Sequence, residues 1–389
     1  MDSAYKPGEF LSYGKQWIDE ADIAAVTKTL TGEFLTQGPA VAEFEEAVAR
    51  AVGAKYCVAV ANGTAALHLA VAAFELEGGS GITSPITFSA SANCMEYCGL
   101  RADFADIDPA TRCIDPDQIE RRLRPDTRLL IPVHLAGHPT DMDAVGDIAR
   151  RRGLRVIEDA AHAIGSRHSD GTPVGSCARS DAAIFSFHPV KTITTGEGGA
   201  ITTNDRELYE HMAVLRTHGI VKDPARLGKN PGPWYHELQI LGYNYRLTDL
   251  QAALGTSQMR KLDAFVERRR KIVRRYDEAF AGIGWLRTFK ERPGVVSAFH
   301  LYAVEVDYRF LGLSRAEVME KLKEAGVGTQ VHYIPVHYMP YYRDKYGYKP
   351  GDFPAAEAYY EAALSLPLYP KMSDDDVDYV VRAVKGLAR

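Results

Sequence analysis

The apolar positions recur with two different periods, and the alternation between them sets the first expectations. Near the start, Ile23, Val26 and Leu30 share one helical face, as do Val41, Phe44, Val48 and Val52. "KYCVAVANGTAALHLAVAAF" then reads as a strand, a turn and a helix. Further runs of strand length are "RADFADI", "RLLIPVHLAG", "LRVIEDA" and "AAIFSF", separated by helical stretches such as "DMDAVGDIARRRG". Strands alternating with helices predict a mostly parallel sheet covered on both faces. This large α/β domain is expected over residues 1–250, N-terminal segment included.

The pattern changes over 251–389. A long helix is expected from Thr248, a plausible cap, through "ALGTSQMRKLDAFVERRRKIVRRYDEAF". Leu262, Phe265, Ile272, Tyr276 and Phe280 keep near-helical spacing in it. The arginines from Arg268 to Arg275 therefore read as its solvated face rather than as a nucleic-acid patch. Beyond it, "FHLYAVEV" and "TQVHYIPV" read as strands. "SRAEVMEKLKEAG" carries a capping box, Ser314 with Glu317, and ends at Gly326. Ser373 caps a last helix, "SDDDVDYVVRAV". The expectation is a small α+β domain at the C-terminus, joined to the first by the long helix.

Composition narrows the class. A chain of 389 residues is too long for one ordinary core, and 46% hydrophobic with 25% charged residues is usual for a globular enzyme. The net charge of −5 argues against a nucleic-acid partner. No stretch reaches the roughly 18 unbroken apolar residues needed to cross a bilayer. "MDSAYKPGEF" has no basic start leading into an apolar core, so no secretory signal is expected. Cys94 and Cys98 have the spacing C-x3-C with no second pair to complete a metal site. All five cysteines are expected as thiols in a cytoplasmic protein.

Candidate chemistry lies where strands end, because open α/β sheets form their sites there. In "ANGTAALHLA", Asn62, Gly63 and Thr64 occupy a strand-to-helix turn whose free N–H groups could hold a phosphate. The same three residues would also serve as a plain helix cap. In "RVIEDAAHAIG" an apolar strand runs into Glu158 and Asp159, with His162 three residues on. In "FSFHPVKTITTGEGGAITTND", Ser186 and Lys191 follow an apolar run and precede Gly196, Gly198 and Gly199. A lysine there is either a turn residue on the surface or a reactive amine. Phe88, in "SPITFSASANC", is a core aromatic or a group that stacks on a ring.

These parts together fit pyridoxal 5'-phosphate. That cofactor needs a lysine amine, a carboxylate beside its pyridine nitrogen and a phosphate cup. A carboxylate there keeps the nitrogen protonated, because an opposite charge favours the charged form.

The chain resembles the DegT/DnrJ/EryC1/StrS sugar aminotransferases, within the fold-type I aspartate aminotransferase superfamily. The likeness runs over almost the whole chain, through "FLTQGPAVAEFEEAVA", "ANGTAALHLA", "EDAAHAIG", "FSFHPVKTITTGEGGAITTND", "LGYNYRLTDLQAALG" and "QVHYIPVHYMPYY". The resemblance implies that Lys191 is the Schiff-base lysine and the acid/base, and that Asp159 pairs with the pyridine nitrogen. It further implies that His162 lies on the cofactor's phenolic oxygen side, where other members often carry glutamine, and that Phe88 covers the ring. Gly63, Thr64 and Ser186 would bind the phosphate, with Asn244 reaching it from the second subunit of a homodimer. Nucleotide-sugar contacts would come from Tyr13, Glu33, Phe34, Leu35 and Thr36, and from His332, Tyr333, Ile334 and Pro335.

"SPITFSASANCMEYCG", "GPWYHELQILGYNYR" and "FHPVKTITTGEGGA" narrow the resemblance to the 4-aminotransferases of pseudaminic acid biosynthesis. These move the amino group of glutamate to C4 of a UDP-4-keto-6-deoxy-N-acetyl-L-altrosamine-type sugar. The span "ELEGGSGITSP" departs from the usual "GDEVI"-type stretch, which leaves the local strand start open. The expected activity is thus a nucleotide-sugar aminotransferase acting at C4. Its rivals are another 4-keto or 3-keto sugar, of perosamine or bacillosamine type, and a non-catalytic regulatory protein that keeps the cofactor.

Overall fold

Strand and helix ends fall where the chain's own caps stop them, in a computed structural model that describes residues 10–388. The opening segment up to residue 9, on which the expectation about a secretory signal rests, lies outside the described residues. Seven strands form the main sheet: β1 (Tyr56–Val60), β2 (Ser80–Thr83), β3 (Arg101–Phe104), β4 (Thr127–Ile131), β5 (Arg155–Asp159), β6 (Ala182–Ser186) and β7 (Gly199–Thr203). Their order is β1-β7-β6-β5-β4-β2-β3. β7 runs antiparallel to β1 and β6, and the other neighbours are parallel. The strands are buried nearly throughout, as a sheet covered on both faces requires.

β2 begins at Ser80, directly after Gly79 at φ +92. A Cβ on Gly79 would stand 2.4 Å from the Asp126 carbonyl oxygen, so the start of the strand needs a glycine.

Helices α1 (Glu20–Leu30), α2 (Pro39–Val52), α3 (Gly63–Ala72), α4 (Ala90–Tyr97), α5 (Pro116–Arg122), α6 (Met142–Arg152) and α7 (Arg206–Leu215) accompany this sheet. A short hairpin pairs β8 (Ile220–Val221) with β9 (Glu237–Leu238). In α1 the apolar face read from the sequence is not the buried one: Ile23 and Leu30 remain exposed. The buried residue is Asp22, which accepts from Gln258 at 2.7 Å and Lys261 at 2.6 Å. Paired charge, not apolar burial, therefore turns this helix.

The expected long helix is two helices, α8 (Asp249–Met259) and α9 (Leu262–Phe280), broken at Arg260 and Lys261. The break lets the Lys261 amine reach Asp22. Thr248 caps α8 with a capping box to Gln251. In α9 the basic run is not uniformly solvated. Arg269 is fully buried and donates through Nη1 to the carbonyls of Phe299, His300 and Leu368.

A three-stranded sheet follows: β10 (Leu286–Arg287), β11 (Tyr302–Val306) and β12 (Ala363–Leu366). Around it lie α10 (Tyr308–Leu311), α11 (Arg315–Glu324), α12 (Pro340–Tyr346), α13 (Pro354–Ala362) and α14 (Asp374–Lys385). Ser314 and Ser373 cap α11 and α14 with full capping boxes. "TQVHYIPV" is not a strand. It touches its neighbour through one bridge, Gln330 to Ser365, and then passes over the strand ends of the large sheet. Phe104 on β3 packs edge-on against Tyr342, Tyr348 and Phe353, so the C-terminal half grips the large sheet. Among the described residues no helix is long and apolar enough to cross a membrane.

Candidate active site

One cavity of about 960 Å³ opens at the C-terminal ends of β1, β5 and β6. Three strand-to-loop transitions deliver its chemistry.

β1 ends at Val60, and Asn62 caps α3 by accepting the Ala65 N–H at 2.8 Å. The N–H groups of Gly63 and Thr64, in the first turn, have no acceptor within the helix. Ser186, at the end of β6, lines the same part of the cavity. A Cβ on Gly63 would lie 2.8 Å from Ser186 Cβ, so the close approach of helix and strand depends on that glycine. N–H donors, a hydroxyl and a helix N-terminus in one small space make a cradle for a phosphate.

β5 places Glu158 and Asp159 on opposite faces. Glu158 is buried and receives His134 Nε2 at 2.8 Å and the Ser180 hydroxyl at 2.5 Å. The Thr140 N–H donates to His134 Nδ1, so the proton of His134 sits on Nε2 and points at the carboxylate. Its burial alone would raise the Glu158 carboxyl, but these bonds outweigh it and hold it low. Asp159 faces the cavity, with Oδ2 receiving the Ser91 hydroxyl at 2.6 Å and Oδ1 the Ala161 N–H at 3.1 Å. Ser91 was not among the residues expected at the site. It lies three residues past Phe88 in a plain "FSAS" run, with no local signal of its role.

Lys191 lies on the loop after β6 and lines the same cavity. Burial lowers its amine to about 8, against an ordinary 10.5, while Asp159 pulls the other way. An amine whose proton is loosened in this way, in one cavity with a carboxylate, is the pairing the cofactor's chemistry demands. Together with the cradle at Gly63 and Ser186, these residues fit pyridoxal phosphate.

The remaining wall is aromatic. His162 is buried, and burial with the nearby Lys191 and His332 holds its imidazole well below the ordinary value. It meets the Tyr333 hydroxyl at 3.0 Å, and its ring centroid lies 4.4 Å from that of His300. His332 bonds the Ser365 hydroxyl at 2.9 Å through Nδ1, and Tyr13 stands 5.4 Å from its ring. Burial, then Lys191, lowers His332 to about 3. Phe88 is 61% exposed at the rim, 6.4 Å from Tyr333. Ile334 also lines the cavity. His300, His68 and Tyr245 line it as well, though none of them was expected at the site.

Not every expected residue reaches this cavity. Glu33, Phe34, Leu35 and Thr36 are exposed on the turn before α2, where Thr36 bridges Thr248. Asn244 is exposed and bridges Thr217, away from the cavity of its own chain. Pro335 is buried behind the wall.

The model of the DegT/DnrJ/EryC1/StrS aminotransferase family matches residues 16–385. The spore coat polysaccharide biosynthesis protein SpsC of Bacillus subtilis is 44% identical, over 99% of this chain and 98% of that protein. The UDP-4-amino-4,6-dideoxy-N-acetyl-beta-L-altrosamine transaminase of Campylobacter jejuni is 38% identical, over 95% of each. Among solved structures, Helicobacter pylori PseC, an aminotransferase involved in the biosynthesis of pseudoaminic acid, superposes with a TM-score of 0.90 at 30% identity. That match covers 97% of this chain and 99% of PseC. The Streptococcus pneumoniae sugar aminotransferase Spr1654 in its PLP form gives 0.89 at 29% identity, covering 97% and 98%.

Proposed function

This chain belongs to the DegT/DnrJ/EryC1/StrS aminotransferase family, a fold-type I group of pyridoxal-phosphate enzymes, and on that premise we propose which sugar it aminates and how. The amino group of glutamate goes to C4 of a UDP-4-keto-6-deoxy-N-acetylhexosamine of the L-altrosamine type. The likeness to the C. jejuni transaminase and to PseC supports that substrate. The observation that carries the chemistry is the meeting of Lys191, Asp159 and the Gly63–Ser186 cradle in one cavity.

Bound pyridoxal phosphate supplies the electron-withdrawing ring through which an amino group and an α-proton can be exchanged. Lys191 would hold it and, once freed, would remove the α-proton of glutamate and later deliver one to C4 of the sugar. An amine with a value near 8 can do both at neutral pH. Asp159, steadied by Ser91, would hold the proton on the pyridine nitrogen. Gly63, Thr64 and Ser186 would anchor the phosphate, Phe88 would cover the ring, and His162 would lie on its phenolic side. Tyr13, His332, Tyr333 and Ile334 line the space left for the sugar.

The working unit is a homodimer in which Asn244, with the segment from Glu33 to Thr36, completes the partner's site. Exposed apolar side chains beside these residues support it: Phe34, Leu35, Leu238 and Leu241, the last 86% exposed. The five free thiols fit a cytoplasmic setting. A second reading, another keto sugar destined for a polysaccharide, draws on the likeness to SpsC. Incubating the enzyme and glutamate with UDP-, GDP- and dTDP-linked keto sugars, with products read by mass, decides between them. Amination of none would remove the sugar reading.

A further inference from the structure

The hydrogen bonds around His162 fix where the Tyr333 proton points. The backbone N–H of Ala136 donates to His162 Nδ1 at 3.3 Å, so that nitrogen carries its lone pair. Burial keeps the imidazole neutral, so its one proton sits on Nε2, 3.0 Å from the Tyr333 hydroxyl. His162 is therefore the donor and the tyrosine oxygen the acceptor. Among the described residues no other hydrogen-bond partner of that hydroxyl is found. The phenol keeps a proton that His162 cannot take, at the cavity wall near Asp159 and against His162, which itself lies near Lys191.

We propose that Tyr333 is a further catalytic residue: it donates its hydroxyl proton to the oxygen on the reacting carbon of either substrate, and His162 is the positioning residue that holds it as a donor. The hydroxyl makes no bond to Asp159, which receives Ser91 and Ala161, so the acceptor is supplied by the ligand. Lys191 marks this end of the cavity as the reacting end, whereas the cradle of Gly63 and Ser186 takes the phosphate. Transamination makes and breaks a carbonyl there. When glutamate becomes 2-oxoglutarate, a water oxygen becomes the ketone oxygen, and both water protons end on the nitrogen that leaves the carbon. When the keto sugar is aminated the same atoms run backwards: its oxygen departs as water with two protons from the incoming amine, and the carbon gains the nitrogen. A hydroxyl that lends a proton to that oxygen and regains one in each passage speeds both directions. Burial and the neighbouring Asp159 raise the phenol, which keeps it protonated at neutral pH.

The inference rests on the reading that Lys191 takes the α-proton of glutamate, and the test separates the two. Cofactor-loaded enzyme is placed with L-glutamate in D2O. Loss of the α-hydrogen signal by proton NMR reports the Lys191 step, and 2-oxoglutarate release reports the oxygen step. Tyr333→Phe should keep the visible absorption band and exchange the α-hydrogen within about threefold of wild type, while release falls about 100-fold. Adding His162→Asn to Tyr333→Phe should lower the ratio of release to α-hydrogen exchange no further, because a loosened cofactor slows both readouts alike while the oxygen step is reached only through Tyr333. Exchange and release falling together, or neither falling, would overturn the role of Tyr333. A further fall of that ratio in the double variant would overturn the holding role of His162. A wild-type enzyme that exchanges no α-hydrogen would instead sink the reading of Lys191, and this inference with it.

Discussion

The Ser91 hydroxyl donates to Asp159 Oδ2 at 2.6 Å, and it does so from α4, an element 68 residues away in the chain. A short bond to a carboxylate that also takes the Ala161 N–H leaves Asp159 one orientation, toward the cavity. Asp159→Asn should keep the fold and lower the rate at least 100-fold, because the amide is nearly isosteric but carries no charge. Ser91→Ala should cost less, about tenfold, since the charge stays and only its aim loosens. Single-turnover rates with glutamate check both, and a wild-type rate in Asp159→Asn would end its assignment as the pyridinium partner.

Lys191→Ala should bind pyridoxal phosphate without the visible band of the wild-type enzyme and should lose turnover, because no other side chain supplies the covalent amine. Absorbance after loading and a mass measurement following borohydride reduction read this directly. A reduced adduct on any other lysine would remove Lys191 from its role.

The amine of Lys191 is protonated below about 8 and neutral above it. Only the neutral amine attacks, so the apo enzyme should capture pyridoxal phosphate about tenfold faster per pH unit up to about 8, then level off. Asp159 raises this value, so Asp159→Asn should move the break to lower pH. A capture rate that climbs unbroken to the ordinary lysine value of 10.5 would contradict the lowered amine.

Gly63→Ala would press a methyl group onto Ser186 at 2.8 Å. The expected strain of about 1–3 kcal/mol should widen the cradle. Cofactor affinity, followed by fluorescence titration, should weaken at least tenfold, while glutamate reactivity of the fully loaded variant changes less. Unaltered affinity would place the phosphate elsewhere.

Mixing an Asn244→Ala chain with a Lys191→Ala chain tests the shared site. In the heterodimer one site carries both lesions and the other carries neither, so partial activity should return. Verified heterodimers without recovery would confine each site to one chain.

Much of this molecule is legible along the chain because its signals are local. Short continuous apolar runs mark β1, β5 and β6, and the caps at Thr248, Ser314 and Ser373 fall where their hydroxyls reach N–H groups three residues on. Lys191 and Asp159 stand out because a charged group at the end of a buried strand must have a task. What the tertiary structure decided are pairings that no period records. Ser91 finds Asp159, Tyr333 finds His162 across 171 residues, and Lys261 finds Asp22 across 239. The last of these breaks the long helix and turns the apolar face of α1 outward. Arg269 leaves the expected solvated face because three backbone carbonyls, from two distant loops, converge on it. "TQVHYIPV" has the composition of a strand, but only one of its residues bridges a strand neighbour, and it serves instead as a wall of the cavity. A hydrophobic pattern specifies which side of an element is buried, whereas a hydrogen bond between distant side chains depends on where the folded sheet happens to bring them.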